Sequence, residues 1–111
     1  LPISLESNIE EFPIDKGIEN QLFRILQEAV SNTLRHADAN KMHISLIKRE
    51  GFIIMRIVDD GKGFDMTETS TSSYGLDTMK ERSEDLGGNF KVVSLPNKGT
   101  RIEVKIPSLH E

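Results

Sequence analysis

The chain has 111 residues, close to the commonest size for one compact domain, and a domain of that size hides roughly two thirds of its unfolded surface. Hydrophobic residues at 36% and charged residues at 29% exclude a disordered chain, because Ile, Leu and Val recur at regular spacing. Fourteen basic against eighteen acidic residues give a net charge of −4 with no basic cluster, which argues against nucleic acid as a partner.

With no Cys there is neither a disulfide framework nor thiolate chemistry, which fits a reducing compartment such as the cytoplasm. No apolar run approaches the roughly 20 residues that cross a bilayer. Leu1-Pro2-Ile3-Ser4 has no initiator Met and no signal-peptide pattern, so the sequence reads as a piece of a longer protein.

Residues 3–6 alternate apolar and polar and predict a first strand. Asp15 suits the N-cap of a helix over 17–37, in which Leu22, Phe23, Ile25, Leu26, Ala29, Val30 and Leu34 recur at helical spacing. Residues 42–49 and 52–59 read as a hairpin turning at Glu50-Gly51. In its second strand Ile53, Met55 and Ile57 share one face, and counting by two puts Asp59, not Asp60, at the end of that row. Gly61 to Ser73 holds almost nothing to bury and predicts a long loop. A second helix follows over 74–86, with Leu76, Met79 and Leu86 inward and Gly87-Gly88 as its stop. Residues 89–95 and 100–106 close the chain as a hairpin in which Thr100, Ile102, Val104 and Ile106 face inward. One mixed sheet with both helices on one face buries all these patterns, a two-layer α/β sandwich in a single domain spanning 1–111.

At roughly 100° per residue, the apolar arc of the first helix runs from Ile25 through Ala29 and Leu22 to Leu34. Glu28, Asn32, Arg35 and His36 gather on one border of that arc with Gln21, close enough to converge on one ligand. A solvated helix flank accounts for the same spacing taken alone. Asp59 has two readings as well: a strand end before a Gly turn, or a partly buried acceptor for a ligand N–H donor. Gly61 and Gly63 after it permit close approach of backbone and ligand.

Other motifs fail on spacing. Gly61-Lys62-Gly63 lacks the P-loop pattern, with Arg56 where the first Gly belongs, and no GxGxxG follows a strand. Asp59, Asp60 and Asp65 do not fit an EF-hand loop. His36, His43 and His110 form no zinc motif, and neither a GxSxG elbow nor a Cys nucleophile is present.

Glu28 and Asn32 on a helix, "DDGKG" after an apolar strand, a Ser/Thr-rich loop ending in "YGLDTM", and "NKGTRIEVKIP" together resemble the ATP-binding domain of sensor histidine kinases in the GHKL superfamily. "QEAVSNTLRHADA" and "YGLDTMKER" are most similar to its subfamily of Gram-positive stress sensors. The resemblance implies ATP and a magnesium ion as cofactors, with Asn32 holding the metal and Arg35 and His36 near the phosphates. It implies Asp59 as the adenine-reading carboxylate, Gly61 and Gly63 beneath the nucleotide, and Thr100 supporting the base. Glu28 falls where some members keep a water-activating base. An ATP lid is implied over about 64–75, with Tyr74, Gly75 and Leu76 at its end, and the N-terminus of the second helix can hold phosphate.

Two departures stand out: only Gly75 remains of the richer lid glycine pattern, and no segment carries the phosphoacceptor His. The implied activity is transfer of the γ-phosphoryl of ATP to a His on a separate dimerisation segment, followed by a response regulator. The parent is then a membrane-anchored homodimer, and this chain alone is a monomeric cytoplasmic domain. The same pocket serves a protein-serine kinase of the anti-sigma type, and a non-catalytic nucleotide-binding module is the reading from another class.

Overall fold

The computed structural model describes residues 1–63 and 74–108. Five strands, β1 (Ile3–Ser7), β2 (Met42–Arg49), β3 (Phe52–Asp59), β4 (Asn89–Ser94) and β5 (Thr100–Pro107), form one sheet in the order β1-β2-β3-β5-β4. β1 runs parallel to β2, and the other neighbours are antiparallel. Helices α1 (Lys16–Asn32) and α2 (Leu76–Asp85) pack on the same apolar face, the mixed two-layer arrangement expected from the strand patterns. Most of the expected loop, and with it residues 64–73 of the lid expected over about 64–75, lies outside the described residues.

Alternation along the strands builds the core. Ile53, Met55 and Ile57 of β3 lie beside Ile106, Val104 and Ile102 of β5, and all six are buried. Each such side chain contributes roughly 1.5–3 kcal/mol by leaving water. On the opposite face Arg56 and its neighbour Glu103 form an ion pair at 3.2 Å, and the Lys105 ammonium lies 4.4 Å from the centre of the Phe52 ring.

Asp15 caps α1 as expected, its Oδ2 accepting from the N–H groups of Gly17 at 2.9 Å and Ile18 at 3.2 Å. The buried stripe of α1 is Ile18, Leu22, Ile25 and Ala29, continued by Thr33. Two residues expected on the apolar arc depart from it: Phe23 and Leu34 remain 56% and 63% exposed. Both sit on the flank of α1 turned away from α2, and Ile3 and Leu5 of the edge strand β1 are likewise exposed among the described residues. Beyond Asn32 the backbone widens into a π-helical turn over Thr33–Ala37, which ends at Asp38 in the left-handed region, with φ 51°.

Candidate functional site

The apolar row of β3 ends in a carboxylate. Asp59 is 8% exposed, whereas Asp60, one residue on and across the strand, is exposed, as counting by two requires. Asp59 Oδ1 accepts from the Gly61 N–H at 2.8 Å, and Asp59 Oδ2 accepts from the Thr33 hydroxyl at 3.1 Å. Across the β3–β5 ladder its neighbour is Thr100, whose hydroxyl lies 2.8 Å from that of Ser94. Asp60 has a different task. Its Oδ1 accepts from the Lys41 N–H at 3.0 Å and the Asn40 N–H at 2.8 Å, and these donors, Lys41 foremost, hold its pKa below the ordinary carboxylate range.

Asp59 lines a cavity of about 460 Å³, open mouth included, between α1, the start of α2 and the ends of β3 and β5. Asn32, His36, Gly63, Tyr74, Leu76 and Thr100 also line it. The cavity therefore gathers seven of the expected residues. Ile57 and Ile102 give it an apolar floor.

The remaining four expected residues stand next to the cavity. The Glu28 carboxylate lies against Gly75 and 3.7 Å from Arg35 Nη2, which also donates to Asn32 Oδ1 at 3.2 Å. The Asn32 amide group donates to the Tyr74 carbonyl, so the helix border and the entrance to α2 are joined directly. His36 stacks edge-on against Tyr74, with ring centres 5.1 Å apart. Gly75, at φ 65°, is the N-cap of α2, and a Cβ there would come within 2.9 Å of Glu28 Cγ. Gly61 acts through its N–H on Asp59. The space that Gly63 leaves is taken by the Leu95 carbonyl of the β4–β5 turn: a side chain would collide with the protein's own backbone.

Thr33 was missed by sequence reasoning, although a signal for it existed. It stands four residues beyond Ala29 at the end of the buried stripe, where a hydroxyl needs a partner.

The donor set bears on a metal. Among the described residues no group of three or more His, Asp or Glu side chains could enclose an ion. Asn32 offers one carbonyl oxygen, and the Arg35 guanidinium bridges it to the Glu28 carboxylate, which marks the spot as favourable for positive charge. This set fits a magnesium ion carried by phosphate oxygens and not a protein cage, because magnesium commonly takes one or two protein oxygens and keeps several waters.

The sequence profile of the family described as "Histidine kinase-, DNA gyrase B-, and HSP90-like ATPase" matches residues 17–110. Sensor protein VraS of Staphylococcus saprophyticus is 51% identical over 107 residues, 96% of this chain and 31% of the relative. VraS of Staphylococcus aureus is 48% identical over the same shares. The chain thus spans about 31% of the length of these curated relatives. Among solved structures, the blue-light activated histidine kinase EL346 of Erythrobacter litoralis superposes with a TM-score of 0.76 at 17% identity, over 96% of this chain and 35% of that one. The ATP binding domain of PrrB from Mycobacterium tuberculosis superposes with a TM-score of 0.75 at 20% identity, over 99% and 82%. These structural likenesses establish the fold, and the sequence match establishes more: the chain belongs to the histidine kinase-, DNA gyrase B- and HSP90-like ATPase family.

Proposed function

We propose that residues 1–111 are the ATP-binding catalytic domain of a two-component sensor histidine kinase. The observation that carries this reading is Asp59, a buried carboxylate at the base of a cavity whose opposite wall presents Asn32. A carboxylate accepts from the exocyclic amine of adenine and disfavours guanine, which presents a carbonyl at that position. Thr100 supports the base from β5. Identity of about half the residues to VraS, named a sensor protein, supports the kinase over other uses of the fold.

Asn32 would hold the magnesium ion through its carbonyl oxygen, and the bound ion neutralises phosphate charge. Arg35 and His36 face the phosphates from the same helix border, and Glu28 orients Arg35. The N–H groups at the start of α2, opened by Gly75 and Leu76 and flanked by Tyr74, offer a further anion site beside the lid of about 64–75. The reaction demands positioning and charge neutralisation. The bond from the γ-phosphorus to the bridging oxygen of ADP breaks, and a phosphorus–nitrogen bond forms on the acceptor imidazole, which loses its proton to solvent.

The acceptor His belongs to a dimerisation segment of the parent, and a response regulator receives the phosphoryl group next. Among the described residues no helix is long and apolar enough to cross a membrane. We place this domain on the cytoplasmic side of a membrane-anchored, homodimeric parent and expect it to be monomeric alone. Incubating the domain with the parent's dimerisation segment and γ-labelled ATP tests the reading. Acid-labile, base-stable label on a His of that segment is expected. Acid-stable label on a Ser would point to a protein-serine kinase instead, and nucleotide binding without transfer would leave a non-catalytic module.

A further inference from the structure

Thr33 sits on the buried stripe of α1 and is 6% exposed, at the first residue of the π-helical turn. Its hydroxyl has one proton and two acceptors in reach, the Ala29 carbonyl at 3.2 Å and Asp59 Oδ2 at 3.1 Å. The Ala29 carbonyl already accepts from the Thr33 backbone N–H. Asp59 is a buried carboxylate, and a hydrogen bond to a charged acceptor is roughly twice as strong as one between neutral groups. The proton is therefore directed at Asp59.

We infer that Thr33 is a positioning residue for base recognition: it fixes the Asp59 carboxylate in the orientation that reads the exocyclic amine of an adenine nucleotide. The Gly61 N–H anchors Oδ1 from the strand side, and the Thr33 hydroxyl anchors Oδ2 from the helix side. A carboxylate offers about four acceptor sites, so two fixed donors leave capacity for a ligand while removing rotation about the last side-chain bond. Without Thr33 the carboxylate keeps a single anchor, and part of the binding energy is spent on ordering it. The widened turn favours this role, since π-helical turns recur at functional sites. It also places consecutive residues in different tasks, Asn32 toward Tyr74 and Arg35, Thr33 toward Asp59.

This inference rests on the proposed adenine pocket, and the test separates the two. ADP and the 5′-diphosphate of purine riboside, which lacks the 6-amino group, are titrated calorimetrically into the 111-residue chain and its Thr33→Val, Thr33→Ser and Asp59→Asn variants. Val matches the shape of Thr but has no hydroxyl, and Thr33→Ala, a better helix former, replaces it if the Val variant does not fold. The loss expected in the hydroxyl-free variant is about tenfold for ADP and none for the amine-free analogue, on the scale of one charge-assisted hydrogen bond. Thr33→Ser restores ADP affinity.

Equal loss for both ligands would make Thr33 a packing residue of the helix end and overturn the inference. No loss for either would overturn it as well. If Asp59→Asn abolishes ADP binding while Thr33→Val does not, the inference falls and the adenine pocket survives. If Asp59→Asn binds ADP like wild type, the pocket reading itself fails.

Discussion

Asn32 is committed at both ends of its side chain, its carbonyl oxygen to Arg35 and its amide group to the Tyr74 carbonyl. For the carbonyl to meet a magnesium ion, the guanidinium must give way, and two cations do not share that oxygen. In the proposed metal role, removing the carbonyl would uncouple metal from nucleotide. In Asn32→Ala, ATP affinity measured by calorimetry is expected to become nearly independent of magnesium, and an unchanged magnesium dependence would remove Asn32 from the metal role. Gly75 gives a second prediction for one residue. It combines φ 65° with a Cβ position 2.9 Å from Glu28 Cγ. Gly75→Ala should lower stability by about 1 kcal/mol or more, as a left-handed position does for a residue with a Cβ. Glu28→Ala in the same chain should recover the steric part, so denaturant titration of the two single variants and the double should show coupling.

At the scale of elements, α1 supplies one wall of the cavity, β3 and β5 the base, and the start of α2 the rim. The same end of β3 is tied to the chain entering β2 by Asp60, through the N–H groups of Asn40 and Lys41. Because the folded state holds the Asp60 pKa down, the charged form is the stabilising one. Its contribution is present above the carboxylate's ordinary range and is lost as pH falls through the lowered folded value. Asp60→Asn should therefore be less stable than wild type near neutral pH, and the two should converge in acid. A gap that persists in acid thermal melts would assign the effect to packing.

Much of this level was legible from residue spacing. Period two placed Asp59 and Thr100 at the ends of adjacent buried rows, and period 3.6 put Asn32 and Glu28 on one border of α1. The exposure of Phe23 and Leu34 was not legible, because an apolar flank is buried only if an element covers it. Nor was the place of Thr33, since a regular helix count does not foresee a π-helical turn or a buried hydroxyl whose partner is 26 residues away.

For the whole molecule, among the described residues the sheet leaves its apolar face exposed at Ile3 and Leu5 of the edge strand β1, while from Met42 and Ile44 of β2 across to β5 the face is buried, and its β3–β5 end carries the cavity. The functional residues come from four elements that are distant in sequence, and the fold alone brings them to one end of the sheet. Family membership supports our proposal that a nucleotide binds at that end, and its central claim is that Asp59 reads adenine there. The most direct test is calorimetric titration of magnesium-ATP and magnesium-GTP into the wild-type chain and Asp59→Asn. The account predicts saturable ATP binding by the wild type, far weaker GTP binding, and loss of ATP binding in the variant. Equal affinity for ATP and GTP, or an Asp59→Asn chain that binds ATP like the wild type, would contradict it.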